Sequence, residues 1–237
     1  MKKFVLLAVL GLLILSVSAC YAGGWKVQLW MTGADGEVVS REFSGFHPDG
    51  LVTYDLGAVD FGIYGVVSDL MLELDADPVV GLHFSYISGI SPVQDFKGKA
   101  WMDIVPTLNV TNVVASGGVT LTEGADTLPN ATVTGNYPGG KIWRATYNST
   151  VNYADLVTGW SLLNDTETNS EISKNPILVP VNRIGIEFDF SLTDGDLASG
   201  TGRFFIAGEP VPEPSSILAM VGGGIGMLGF ALRKRRS

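Results

Sequence analysis

The sequence has a single cysteine, Cys20, among its 237 residues. One cysteine excludes an intrachain disulfide, a cysteine-based zinc cluster and a redox-active CxxC pair. Histidine is scarce as well: we predict an exposed loop side chain for His47, in a turn-like segment, and a solvent-facing side chain for His83, in a strand-like segment. The sequence contains no GxSxG elbow and no HExxH motif. We therefore predict no catalytic residues and no enzymatic activity.

Positive charge is also scarce in the middle of the chain. Residues 20–211 hold nine of the 15 basic residues but 23 of the 24 acidic ones. Because nucleic-acid binding depends on Lys and Arg side chains that neutralise phosphates, a nucleic-acid partner is excluded. No GxxxxGK[ST] loop and no strand-linked GxGxxG supports nucleotide binding.

The N-terminus has the three-part layout of a secretory signal. Lys2 and Lys3 precede an apolar run, residues 4–15, and small residues that end at Ala19. We predict a signal peptide over residues 1–19, removed by signal peptidase between Ala19 and Cys20. Cleavage after Ala22 is a second option. The same residues also resemble a bacterial lipobox, in which Cys20 would carry a lipid.

The C-terminal end combines a strand breaker, an apolar stretch and a cluster of cations. The breaker consists of Pro212, Glu213 and Pro214, whose prolines remove two backbone donors. Residues 215–232 carry no charge, as a short transmembrane helix requires. The chain then continues with Arg233, Lys234, Arg235 and Arg236. By the positive-inside rule this basic tail stays in the cytoplasm and residues 20–211 lie outside.

This order of a Pro-Glu-Pro triplet, a glycine-rich apolar helix and a terminal Arg/Lys cluster resembles the PEP-CTERM sorting signal of bacteria that also make exopolysaccharide. The resemblance implies that exosortase, a multispanning membrane enzyme with a catalytic cysteine, recognises residues 212–237 and processes the chain in or near the triplet. The helix over residues 215–232 would anchor the chain transiently in the inner membrane. The protein would then reach the cell surface or the extracellular matrix.

Between the two ends, the sequence has the pattern of a sheet protein. Apolar and polar side chains alternate from residue 25 to residue 32, as in a strand with one buried face. Further strands are predicted at 37–46, 51–56, 63–74, 79–87, 101–114, 118–121, 141–147, 177–181, 183–192 and 203–206. The best helical candidate is short, residues 153–163. We predict an all-β ectodomain over residues 20–211, an antiparallel β-sandwich or jelly roll. A split into two β units, near 117–118 or 138–140, is the alternative.

Calcium is the only cofactor that the sequence suggests, and no metal site is firmly predicted. Asp75 and Asp77, and again Asp194 and Asp196, place carboxylates two residues apart in turn-like segments. Ca²⁺ takes six to eight oxygen ligands from such loops. The EF-hand pattern is absent, and acidic turns also occur simply as solvated surface.

Five tryptophans offer a second kind of binding chemistry: Trp25, Trp30, Trp101, Trp143 and Trp160. Outward-facing rings could stack on a polysaccharide, although large aromatics at alternating positions more often belong to a core. Trp30 lies out of phase with the apolar Leu29 and Met31, so we predict that it faces outward.

We predict an exported, exosortase-sorted surface or matrix protein, structural or adhesive, associated with exopolysaccharide and without catalytic activity. The alternatives are a carbohydrate-binding module of the matrix and a secreted hydrolase. Clustered outward tryptophans would favour the module. A cleft with two carboxylates about 5 to 9.5 Å apart would favour the hydrolase.

Overall fold

The computed structural model describes residues 21–33, 35–47, 50–75, 77–89, 93–124, 130–163 and 165–210. These residues form 14 β-strands and one 3-10 helix, Gly62–Tyr64, and no α-helix lies among them. The strands are β1 (Tyr21–Thr32), β2 (Val38–Phe46), β3 (Val52–Asp55), β4 (Val59–Asp60), β5 (Gly65–Asp75), β6 (Val79–Ser88), β7 (Val93–Thr122), β8 (Ala131–Gly135), β9 (Lys141–Tyr147), β10 (Val151–Thr158), β11 (Trp160–Leu162), β12 (Thr166–Ser173), β13 (Val181–Thr193) and β14 (Leu197–Pro210). The stretch Ala19–Glu209 forms one compact unit.

The alternation of apolar and polar residues gives most strands one buried face. In β1, Val27, Leu29 and Met31 are fully buried, whereas Gln28 and Trp30 are partly exposed on the opposite face. Successive side chains of a strand point to opposite faces of the sheet. The same sequence pattern that directs one set of residues into the core therefore presents the other set to solvent.

The strands form one antiparallel sheet whose two halves are joined by β7. The first half contains β1, β2, β13, β9 and β10, and the second half contains β14, β6, β5 and β3. The main path of the sheet runs β10-β9-β13-β7-β14-β6-β5-β3, with β1 and β2 added beside β7. At 30 residues, β7 is long enough to serve both halves. Its first part pairs with β1 and β13, and its last part, from Ala115 to Thr122, pairs with β12.

The sheet bends back on itself along β7. The ring centroids of Phe84 on β6 and Phe188 on β13 are 4.3 Å apart. These strands are three places apart in the hydrogen-bonding order, which in a flat sheet would separate them by about 14 Å. The two halves therefore face each other across a buried core. Its largest side chains include Trp143, Tyr86, Phe96, Phe188, Phe190 and Phe204.

The predicted antiparallel all-β class is confirmed. The helical candidate at 153–163 is wrong, because these residues form most of β10 and all of β11. Of the strand predicted at 177–181, only Val181 is extended in a strand, as the first residue of β13. The two strands predicted at 101–114 and 118–121 are parts of the single strand β7. Strands β8 and β12 were not predicted.

Candidate functional site

The outer face of the first half of the sheet carries polar and aromatic side chains in cross-strand rows. Strands β1, β7, β13 and β9 lie side by side there and set which residues are neighbours. From one end to the other, the rows are Trp30–Lys97–Asp189, Gln28–Lys99–Glu187–Arg144, Lys26–Trp101–Gly185–Thr146 and Asp103–Arg183. Residues directly opposite on paired strands have neighbouring side chains. The rows therefore bring together residues that lie far apart in the sequence.

An open groove with a volume of about 470 Å³ runs across these rows. Gly185 deepens it, because a Cβ atom at this position would lie 2.9 Å from Thr146 Oγ1 and 3.4 Å from Trp101 Cβ. A side chain here would fill the space between Trp101 and Thr146 in the same row. The groove is lined by Gln28, Trp30, Lys97, Lys99, Trp101, Thr146, Ser149, Arg183, Gly185 and Glu187.

Two tryptophans line the groove. Trp30 pairs in register with Lys97, and Trp101 follows Lys97 by four residues on β7. At about 3.3 Å per strand residue, the two positions are roughly 13 Å apart along the strands. Both tryptophans are partly exposed and lie outside the hydrophobic core. Their spacing suits a chain of linked sugars better than a single ring, and flat indole faces suit stacking against sugar rings.

Cations of the groove are paired with carboxylates on neighbouring strands. The pairs are Lys97 with Asp189 at 2.8 Å, Lys99 with Glu187 at 2.6 Å and Arg183 with Asp103 at 2.5 Å. Exposed ion pairs contribute only about 0–1 kcal/mol each to stability. The two more exposed cations, Lys97 and Arg183, can therefore share their charge with a ligand at little cost to the fold.

Two ammonium groups lie near the Trp101 ring. Lys26 Nζ is 5.8 Å and Lys99 Nζ is 5.7 Å from the centroid of the indole. Both distances are within the range of a cation–π interaction. The two lysines therefore help to hold the ring on the outer surface.

Glu187 has a structural role at the groove. It is only 8% exposed although it lies on the outer face. Its Oε1 accepts from Lys99 at 2.6 Å and from Thr146 at 3.3 Å, and its Oε2 accepts from Tyr137 at 3.4 Å. Burial, and then the charges of Glu187 and Asp189, raise the pKa of Tyr137 well above its ordinary value. The phenol therefore remains a donor, and both oxygens of Glu187 have partners.

The two histidines differ in environment. The expectation of an exposed loop histidine at 47 is wrong, because His47 is 2% exposed and its backbone N–H donates to the Gly23 carbonyl at 3.3 Å. His83 lies partly exposed on the outer face of β6, as predicted. Its Nδ1 is 3.0 Å from Thr201 Oγ1, and its Nε2 is 3.8 Å from a Glu73 carboxylate oxygen. Glu73 is also held at 2.6 Å by Arg203, so this cluster is a cross-strand polar network.

The candidate calcium ligands lie in two separate turns. The Asp75 carboxylate accepts from the backbone N–H of Asp77 at 3.2 Å. Asp196 is 1% exposed and accepts from the Gly124 N–H at 2.9 Å and from the Thr193 hydroxyl. Asp194 is partly exposed, and its charge helps burial to raise the pKa of Tyr86. Across the described ranges, no group of three or more His, Cys, Asp or Glu side chains could hold an ion. Calcium binding stays a prediction from the sequence.

The other tryptophans lie away from the groove. Trp143 is fully buried and Trp25 is 7% exposed. Trp160 is partly buried against the core and lines a smaller depression beside β8. The structure thus separates the five tryptophans into two at the groove and three elsewhere.

Comparison with known proteins bears on the C-terminal end. Residues 210–236 match the family model of the PEP-CTERM protein-sorting motif. The chain carries a PEP-CTERM sorting motif. No curated protein matches the chain. The motif implies recognition by exosortase and a secreted protein with a C-terminal sorting tail.

Several predicted features of the PEP-CTERM protein lie outside the described residues. They are the signal peptide over 1–19, the cleavage site at Ala19 and Cys20, the triplet Pro212, Glu213 and Pro214, the helix over 215–232, and the tail of Arg233, Lys234, Arg235 and Arg236. Among the residues that the structure does describe, none belongs to a helix with the length and apolar character needed to cross a membrane.

Most of the groove in the PEP-CTERM protein was not predicted from the sequence. Trp30 was expected to face outward, and it does. The sequence does not mark the charged lining residues as members of a site, because they differ from other residues only by their place in alternating stretches. These residues are Lys97, Lys99, Arg183 and Glu187. Only the pairing of β7 with both β1 and β13 brings them together.

Proposed function

We propose that this PEP-CTERM protein is a non-catalytic component of the bacterial cell surface or extracellular matrix that holds exopolysaccharide in the groove lined by Trp30 and Trp101. The single observation that carries the proposal is the presence of two outward tryptophans that line one groove on a rigid sheet. Side chains on a sheet are positioned more precisely than side chains on loops. Such a surface would serve a structural or adhesive role.

The proposed absence of catalysis is supported by the acid–base content of the groove. Glycoside hydrolysis uses two carboxyl groups about 5 to 9.5 Å apart, one on each side of the scissile bond. Glu187 is the only carboxylate among the described lining residues, and it is engaged by Lys99, Thr146 and Tyr137. The proposal also includes a sandwich-like or jelly-roll body, supported by the contact of Phe84 with Phe188 across the core.

Binding is tested by affinity gel electrophoresis of the full chain in nonionic detergent. Gels would contain a panel of neutral and acidic polysaccharides. We expect Trp101→Ala and Trp30→Ala each to weaken binding about tenfold or more, since central aromatic residues of an interface contribute about 2 kcal/mol or more. Trp160→Ala is the matched control, because Trp160 is also partly exposed but lies outside the groove. Equal binding by all three variants, or no retardation by any polysaccharide, would refute the proposal.

Sorting is tested separately by intact-mass spectrometry of the protein from its native host. We expect the released fraction to lack the N-terminal signal and all residues from the Pro-Glu-Pro triplet onward. A mass that retains Arg233 to Ser237 in every fraction would contradict processing by exosortase.

A further inference from the structure

We propose that the groove selects acidic polysaccharides, whose sugar carboxylates bind Lys97 and Arg183 while the sugar rings stack on Trp30 and Trp101. This inference rests on the proposed function and specifies the class of its ligand. Two observations support the inference. One is the placement of charged side chains on the outer face of the sheet, and the other is that Lys97 and Arg183 keep N–H donors that can bind a ligand.

The lining of the groove is richer in basic than in acidic side chains, although Asp189 and Asp103 lie beside it as partners of Lys97 and Arg183. The described lining holds three basic side chains and one acidic one, whereas the chain as a whole has a formal net charge of -9. The one carboxylate among the described lining residues, Glu187, is largely buried and accepts hydrogen bonds from Thr146 on β9 and from Tyr137 in the turn before β9. An acidic polymer would be repelled by much of this acidic surface, and in the groove it would meet two exposed cations close to two aromatic rings.

Arg183 retains donors for a ligand. Its Nε donates to Asp103 at 2.5 Å and its Nη1 donates to Ser149 at 3.2 Å. Its side chain is 34% exposed, and among the described residues its Nη2 has no partner. A guanidinium carries five N–H donors in a planar fork that matches a carboxylate.

Lys97 lies at the Trp30 end of the groove. It shares a row with Trp30 and precedes Trp101 by four residues on β7. Its ammonium bonds Asp189 at 2.8 Å, and the side chain is 43% exposed. Because an ammonium has three donors, Lys97 can bind a sugar carboxylate without losing Asp189.

The test compares polygalacturonate with its highly methyl-esterified form, which keeps the sugar backbone but neutralises its carboxylates. The full chain in nonionic detergent would be run in affinity gels that contain either polymer, at low and at raised salt. We expect at least tenfold tighter binding to polygalacturonate, and a loss of this preference as salt screens the charges.

Matched variants identify the cations. We expect Lys97→Gln and Arg183→Gln each to weaken binding to polygalacturonate about tenfold, as loss of a hydrogen bond between charged groups does. Arg203→Gln is the control, because it removes a charge that is more exposed than Lys97 and Arg183, at 49% against 43% and 34%, and that pairs with Glu73 on the other half of the sheet. Lys99 is a poor choice for this test, since its loss would leave the buried Glu187 carboxylate without its cation. Thermal melting would verify that each variant is folded.

The outcomes separate the two proposals. A preference for polygalacturonate that Lys97→Gln and Arg183→Gln reduce, and Arg203→Gln does not, would support the inference. Equal binding to both polymers with loss in Trp101→Ala would overturn selection of acidic sugars and leave the proposed function standing. Equal weakening by Arg183→Gln and Arg203→Gln would also overturn it, because only net charge would then matter. Binding to no polysaccharide would overturn both proposals.

Discussion

Trp143 connects the two halves of the sheet by filling space that glycines leave open. It lies on β9, is fully buried, and its Nε1 donates to the Gly118 carbonyl on β7 at 3.2 Å. A Cβ atom at Gly117 would lie 2.9 Å from Trp143 Cδ1 and 3.0 Å from its Cγ. On β14, a Cβ atom at Gly202 would lie 2.4 Å from Cε3 and 2.4 Å from Cζ3 of the Trp143 indole. The ring therefore has little room to move away from a new methyl group at residue 117.

We expect Gly117→Ala to destabilise the protein, with Gly118→Ala as its control. Overpacking a filled core typically costs about 1–3 kcal/mol, so we expect a loss of about 2 kcal/mol, or about 4–8 °C in Tm for a body of this size. At Gly118 a Cβ atom would meet no atom closer than 3.7 Å. Alanine there should be neutral or should stabilise by up to about 1 kcal/mol, because it restricts the unfolded chain.

Urea unfolding followed by circular dichroism measures both variants under the same conditions. The midpoint should fall for Gly117→Ala and remain or rise for Gly118→Ala, with the same slope for both. If the two variants differ by less than about 0.5 kcal/mol, a typical surface effect, Trp143 does not pack against β7 as described and the reasoning fails.

Two further predictions concern pH. Burial, and then hydrogen bonds from the phenol to Glu37 and Asp35, raise the pKa of Tyr64 to about 12. The resulting stability is present below pH 10 and lost as pH rises through 12, so an alkaline absorbance titration should lose one late-ionising phenol in Tyr64→Phe. A hydrogen bond from Lys141, 2.6 Å away, lowers the pKa of Glu171 below 4.5. This contribution is present above pH 4.5 and lost as pH falls through the lower, folded pKa, so Glu171→Gln should flatten the acid side of the stability curve. An alkaline titration that is the same in Tyr64→Phe as in the original protein would contradict the assignment for Tyr64. Acid unfolding that is the same in Glu171→Gln would contradict the assignment for Glu171.

The sequence predicts the strands whose alternation is regular and misses those where it is interrupted. In β1 the alternation is continuous, and it correctly directs Trp30 outward. In β10 the pairing with β9 shifts between Asn152 and Ala154, and Val157 has a φ of 59°. Both irregularities break the two-residue period, so the segment resembles a short helix in sequence. Strand β12 has polar residues on both faces and a single partner, β7, so no buried face marks it.

The groove could not be predicted, because register is a property of the assembled sheet. Trp30, Lys97 and Asp189 share a row only because β7 pairs with β1 on one side and with β13 on the other. A slip of one residue would turn every side chain of a strand to the opposite face. What could be inferred from the sequence was the chemistry of single residues, not their neighbours.

Strand β13 links the stability of the body to the shape of the groove. Its Phe188 and Phe190 face inward and lie 4.3 and 5.7 Å from Phe84 in the core, while Arg183 and Glu187 face the groove. The inward rings fix the register, because a slip would expose two phenylalanines and bury charges without partners. The groove is therefore held in shape by the aromatic core before any ligand arrives. A site organised in this way loses little conformational freedom on binding, so core variants such as Gly117→Ala should weaken binding only to the extent that they unfold the protein.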